Sequence, residues 1–434
     1  MERDDLTKRY SFIFEKRGIE KAFRFVYDVY RSGKLREFLS FIVWELFHRA
    51  GLFPKKDYLK FNDNEVITLG NERLSSLEFG ERIDRFFRHR QLSNLRSDHN
   101  WKLLLIDHTG EMFGCLYPED TDLYRSTDRG ASVVFVKRFP ERIKSIFVSY
   151  QHTIFVCVKG AVYRSSDDGR SFTKSLVLGS SESFFRHNNA MTETPDKTLV
   201  IGEYGNVWEA KGWRNLAHLY FSSDEGETWK RSDFLKEKGT NKHVHIVQYS
   251  RLLNRLLVAD GDNKKKLWMS QPLDPIGFQD PQWKAVNQFH IQMGGYTAIA
   301  ESDGQIVFGT DYQGGTNFVV TTKDCKKLTK RIVPDPYRRS PIDNMVQRKS
   351  KRGVEIWANL PYSTANSKCL LMYTADGGKT WNKVVEYSRA THTVWLLNSS
   401  KEIAEELYYS IEDLRSNDRV VYKIVDQSDG LRDG

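Results

Sequence analysis

The chain has 434 residues, with 66 Lys and Arg against 57 Asp and Glu, a formal net charge of +9. The excess is mild and spread out, with no dense arginine tract, so specific nucleic-acid binding is not expected. An acidic poly- or oligosaccharide or an anionic membrane surface remains a partner that the charge would favour. The 26 Phe, 20 Tyr and 10 Trp supply a large core and also flat apolar faces on which sugars stack. The longest apolar run, near Phe38–Phe47, falls far short of the ~20 residues needed to cross a bilayer. Cys115, Cys157, Cys325 and Cys369 form no C-x-x-C pair, which argues against a zinc ribbon or a disulfide frame and fits buried, reduced thiols. The charged start Met1–Asp5 lacks the apolar stretch of a secretory signal, so a non-exported, cytoplasmic protein is expected.

Residues 5–49 carry a helical pattern. Phe12, Phe14, Ile19, Phe23, Val26 and Tyr30 recur at 3.6-type spacing, and a second, very apolar helix runs from Leu35 to His48, stopped by Gly51 and Pro54. We expect an N-terminal helical segment over 1–61. It either docks as a helix pair, on the rest of the chain or in a dimer, or lies along a membrane surface through residues 35–49, helped by Arg36, Arg49, Lys55 and Lys56.

From about Glu65 the helical period fades. Short β-branched and aromatic runs such as Lys102–Ile106, Thr153–Val158, Leu256–Val258 and Gln305–Phe308 alternate with Gly, Asp and Asn. One string repeats: Ser222-Ser223-Asp224-Glu225-Gly226-Glu227-Thr228-Trp229, with close copies at Ser126, Ser165 and Thr374 and decayed ones near Ser270 and Thr322. The copies stand roughly 40–57 residues apart, the length of one four-stranded blade with variable loops. In such a string the Asp carboxylate accepts N–H bonds inside a tight turn, Gly supplies a positive φ, and the final Trp or Phe plugs the space between sheets. The expected fold class is all-β: a β-propeller over 62–434, seven-bladed, with six blades as the alternative.

The string fits the Asp box of sialidase-type (BNR-repeat) propellers. The segments His187-Asn188-Asn189-Ala190, Gly202-Glu203-Tyr204, His243-Val244-His245, Ala259-Asp260-Gly261-Asp262 and Gly309-Thr310-Asp311 resemble bacterial and archaeal Asp-box propeller proteins described as sialidase-like, many of them found beside polysaccharide genes. That resemblance implies a propeller and glycan-related work, without a settled reaction. A second, partial similarity is to oligogalacturonate lyases, propellers that hold a metal with three His and a Gln.

Side chains alternate along a strand, so His243 and His245 project to one face. They can hold one divalent metal together with His187 and Gln292, act as a metal-free base, or simply line a pocket. Candidate catalytic residues are His187, Glu203, Tyr204, His243, His245 and Asp262. Candidate substrate-binding residues are Arg186, Asn188, Gln292, Tyr296 and Asp311. A lyase would take its base from His187, His243, His245 or Tyr204, and Arg186 or Lys242 would clamp a uronate carboxylate. A hydrolase would pair Glu203 with Asp262 or Asp311 across ~5–10 Å. Sialidase chemistry is disfavoured, since Arg138-Phe139-Pro140 matches the arginine motif of that family poorly. The expected function is cleavage or modification of an acidic polysaccharide by a lyase or glycosidase. The alternative is a non-catalytic glycan- or protein-binding propeller.

Overall fold

The computed structural model describes residues 35–209, 212–240, 242–261, 265–272, 282–286, 295–312, 314–363, 367–400 and 402–427, with residues 23, 26, 27, 29 and 30. The chain forms two compact units: Met1–Lys55 with His290–Gln292, and Lys56–Phe289 with Met293–Gly434. In the first unit helix α1 spans Leu35–Arg49, as the apolar run predicts, and leaves Leu39, Val43, Leu46 and Phe47 exposed. Most of the helix expected before it lies outside the described residues. Among the described residues no helix is long and apolar enough to cross a membrane.

The second unit is a seven-bladed propeller. Seven sheets, antiparallel apart from short parallel additions of Ile67–Thr68 to the sixth and Asn398–Ser400 to the first, each place the first strand of their blade toward the axis: Trp101–Ile106, Ile143–Val148, Met191–Glu193, Val244–Ser250, Gly295–Ser302, Asn344–Ser350 and His392–Leu396. The second strands sit between neighbouring sheets and are apolar on both faces, so Ile154–Val158 reads as a continuous buried run and not as an alternating one. The ring closes through a composite seventh blade. Its outermost strand, Leu92–Arg96, comes from before the first blade and pairs antiparallel with the last strand, from Leu92 opposite Asp426 to Arg96 opposite Tyr422.

Helix α2, Leu77–Arg88, departs from the sequence reading, which has no helix beyond residue 61. Ser76 caps it by accepting the Phe79 N–H, and Phe79, Ile83, Phe86 and Phe87 form its buried face. Phe87 lies against Trp357 and Tyr409 of blades six and seven, at ring distances of 6.5 and 6.4 Å. The cap and the i, i+4, i+7, i+8 apolar spacing are both legible in the sequence, but a short helix inside a long β pattern is easily passed over.

The four well-kept repeats form one kind of turn. In blade three, Asp224 accepts from Thr228 N at 3.0 Å, Thr228 Oγ1 at 2.6 Å and Ser222 Oγ at 2.7 Å. The same bonds recur around Asp128, Asp167 and Asp376. Gly226 holds φ +77°, and a Cβ there would meet the Phe155 ring at 2.4 Å, so the position needs glycine on two counts. Trp229 crosses onto the preceding blade, 6.2 Å from the Phe155 ring, and donates to Ser175 Oγ at 2.8 Å. Asp224→Ala strips three donors of their acceptor at once. It is expected to cost about 1–3 kcal/mol, read from the urea midpoint at constant slope. The decayed copy at Thr322 keeps a reduced version, in which Thr322 and Asp324 cap Cys325 N and Lys326 N. The turn after Ser270 lies outside the described residues. All four cysteines are buried and unpaired.

Candidate active site on the propeller axis

The axial channel is crossed by a short segment of chain, Arg186–Ala190, just before the inner strand of blade three. His187 reaches the inner strands of blades one and two: Nδ1 accepts from Ile146 N at 3.2 Å, and Nε2 faces Leu104 O at 3.1 Å. Asn189 ties the other side, with Nδ2 donating to Thr297 O at 2.9 Å and its carbonyl accepting Val247 N at 2.7 Å. The segment therefore bridges blades one, two, four and five as a set of spokes.

Both His187 ring nitrogens are spent on main-chain groups, so this residue fits neither a metal ligand nor a general base. The sequence reading is corrected on both roles. Burial lowers its pKa from the ordinary 6.5 to about 4, against the opposing pull of its two main-chain bonds. The unfolded chain thus binds more protons between these values. The stability due to neutral His187 is whole above pH 6.5 and is lost as pH falls toward 4, by up to about 3 kcal/mol. The difference between wild type and His187→Gln in urea unfolding should shrink across that window and be flat above it.

On the face where the inner strands begin, His243 and His245 meet. His243 sits just ahead of the inner strand of blade four, and His245 is the extra residue at a bulge between Val244 and Ile246. His243 Nδ1 faces Gly205 O at 2.7 Å, and His245 Nδ1 faces Tyr296 O at 3.2 Å. Only an N–H satisfies a carbonyl, so each Nδ1 is assigned as the donor there, and the two Nε2 atoms lie on the other side of their rings. These point at each other across 2.9 Å. A single proton on that line joins the two rings as one hydrogen-bonded pair. Gly261 permits the approach, because a Cβ there would lie 2.4 Å from His243 Cδ2.

Tyr204 stacks on His243 at 4.1 Å and 29°. Arg186 lies 5.7 Å from the Tyr204 ring and bonds Asp343 of blade six through both the carbonyl, at 2.8 Å, and Oδ1, at 3.0 Å. Tyr362 completes the rim: Asp343, Arg186, Tyr204 and Asp311 all act on its hydroxyl electrostatically, and burial first of all raises its pKa. The two histidines are buried, whereas Arg186, Tyr204, Asp311, Asp343 and Tyr362 keep partial exposure. The charged rim meets solvent, and the imidazoles stand behind it.

Other expected site residues fall elsewhere. Glu203 is fully buried, its carboxylate taken by Gly179 N at 2.9 Å, Ser183 Oγ at 2.5 Å and Tyr220 OH at 2.7 Å, so it forms no open carboxylate pair for hydrolysis. The Tyr296 ring is buried 5.3 Å from Phe308, and its carbonyl faces His245 Nδ1. Asn188 lines a different cavity, of about 500 Å³, on the opposite side of the crossing segment, together with Gln248, Arg251, Glu301, Gln347 and Glu402. Asp262 and Gln292 lie outside the described residues. Of the metal set His187, His243, His245 and Gln292, His187 is engaged by backbone on both ring nitrogens, His243 and His245 meet, and Gln292 lies outside the described residues. Sequence reasoning missed Asp343 and Tyr362. Asp343 occupies the place in blade six that His243 holds in blade four, immediately before the inner strand, and that position was the available signal.

These features define a seven-bladed propeller with an axial histidine–tyrosine–arginine site. No protein-family model matches the sequence, and no curated protein matches it. Solved structures share the architecture. Virginiamycin B lyase from Staphylococcus aureus aligns with a TM-score of 0.51 and 11% identity over 77% of this chain and 98% of that one. A catalytically inactive histidine-to-alanine form of that lyase, with quinupristin, aligns with the same values. YCF48 from Cyanidioschyzon merolae aligns at 0.48 and 12% identity, over 78% and 99%. At these identities the likeness is one of fold.

Proposed function

We propose that the protein is a lyase acting on an acidic saccharide, with the His243–His245 pair as general base. The observation that carries this reading is the two inward-facing Nε2 atoms 2.9 Å apart, each ring locked by a carbonyl on its other nitrogen. The base removes the proton on the carbon next to the uronate carboxylate. The glycosidic C–O bond then breaks, a C=C bond forms, and the leaving oxygen takes a proton. Arg186, beside Tyr204 on the rim, supplies the positive charge that such a carboxylate needs. Elimination is favoured over hydrolysis because Glu203 is withdrawn into the wall.

The test is a screen of uronate polysaccharides that reads ultraviolet absorbance of the unsaturated product alongside reducing ends. Reducing ends without the absorbance would point to hydrolysis. Saturable binding with neither signal would replace the enzyme by a glycan-binding propeller.

A further inference from the structure

We propose that the protein holds one divalent transition-metal ion between Asp107, His108 and His152, on the face opposite the histidine pair. Asp107 and His108 lie in the turn that follows the inner strand of blade one, and His152 lies in the equivalent turn of blade two. One ligand atom from each of the three falls within 4.8 Å of the others. The two imidazole rings are 4.9 Å apart.

The turn itself does not account for Asp107. In blades one, two and three the residue after the inner strand donates the same main-chain bond, Asp107 N to Glu111 O, Ser149 N to Thr153 O and Thr194 N to Thr198 O. In the first two of these turns its side chain caps the loop: Asp107 Oδ1 accepts Thr109 N at 2.8 Å and Glu111 N at 3.0 Å, and Ser149 Oγ accepts Gln151 N and Thr153 N. One hydroxyl oxygen therefore suffices where Asp107 brings two. The surplus Oδ2 belongs to a side chain with no solvent exposure, makes no hydrogen bond, and lies 3.4 Å from His152 Nδ1. His108 Nδ1 is also buried without a hydrogen-bond partner. A buried carboxylate oxygen and a buried imidazole nitrogen left unsatisfied side by side are what metal ligands look like before the ion is added.

Two imidazoles and one carboxylate suit zinc, iron(II) or cobalt(II) better than magnesium or calcium, which prefer all-oxygen sites. Closing the donors onto an ion at about 2.0–2.2 Å needs only a small swing of rings, and the His152 side chain, 38% exposed, is free to make it. Three protein ligands leave a coordination position open. Tyr150 stands beside the three ligands: its ring is 5.2 Å from His108, and its hydroxyl bonds Arg251 and Glu402, both lining the 500 Å³ cavity. The ion would stand at the rim of that cavity.

The experiment uses the full chain, stripped with chelator and titrated with Zn²⁺ by calorimetry and with Co²⁺ by visible absorption. One ion per chain at micromolar affinity or better is expected. His152→Ala and Asp107→Ser should each weaken binding by about 100-fold or more. Asp107→Ser keeps the capping oxygen that blade two uses, so its apo melting temperature should stay near that of wild type. His245→Ala should bind the ion as wild type does. The proposal is overturned if wild type takes up no ion, if His152→Ala and Asp107→Ser bind it undiminished, or if His245→Ala alone abolishes binding. None of these outcomes bears on the lyase reading, whose base lies on the other face.

Discussion

Replacing His245 by alanine is expected to lower kcat/KM on an acidic polysaccharide by about 10²–10⁴-fold, the range that a positioned general base contributes. The expectation follows from the pair and not from one ring. With His245 gone, His243 Nε2 loses the atom 2.9 Å away that shares its proton, and its Nδ1 is still committed to Gly205 O. His243→Ala should therefore cost about as much as His245→Ala, and the double variant little more than either, because the two act as a unit. The loss should appear in kcat, with KM nearly unchanged, since Arg186 and Tyr204 stay in place. Gly261→Ala tests the same point without touching a functional group. The added methyl would collide with His243, so activity should fall in a folded chain. Equal turnover by wild type and both single alanine variants would remove the pair from the chemistry.

The largest expected effect on stability comes from Arg348→Ala, about 3–5 kcal/mol. Arg348 is on the inner strand of blade six, and its side chain has no solvent exposure. Its Nε bonds Glu355 Oε2 at 2.9 Å on the adjacent strand, and its Nη2 bonds Asp426 Oδ1 at 2.8 Å on the last strand of blade seven. Glu355 Oε2 also accepts Trp357 Nε1 at 2.9 Å. Removing the guanidinium leaves a nearly buried carboxylate without its cation, which is costlier than never having had the pair. It does so at the seam where Leu92 pairs with Asp426 to close the ring. Arg348→Lys should recover only part of the loss, because a point charge cannot serve Nε and Nη2 directions together. Urea unfolding followed by tryptophan fluorescence gives the number, and a cost below about 1 kcal/mol would show that the closure does not depend on this ion triad.

How far the chain could be read before folding depended on the range of the forces. The repeated turns were legible because each is closed by bonds within seven residues, as around Asp224, Ser222 and Thr228. Strand positions followed from the same locality, whereas His243 and His245 meet with His243 just ahead of the strand and His245 at its bulge, where regular alternation does not apply. Blade number followed from six repeated turns plus the strands of the tail, which left six as the alternative to seven. What stayed hidden is non-local. Nothing near Leu92–Arg96 says that it pairs with the far end of the chain, and nothing near Glu203 says that Gly179 and Tyr220 will claim its carboxylate. His187 looked like a ligand because imidazole is versatile; the inner strands of two other blades decided that it is a spoke.

By itself the sequence determined a β-propeller with repeated Asp-centred turns, because local hydrogen bonds and side-chain alternation need no distant partner. Only the tertiary structure decided which titratable groups converge. It set Arg186 against Asp343 and Asp107 against His152, pairs that meet because the ring turns widely separated segments toward one axis.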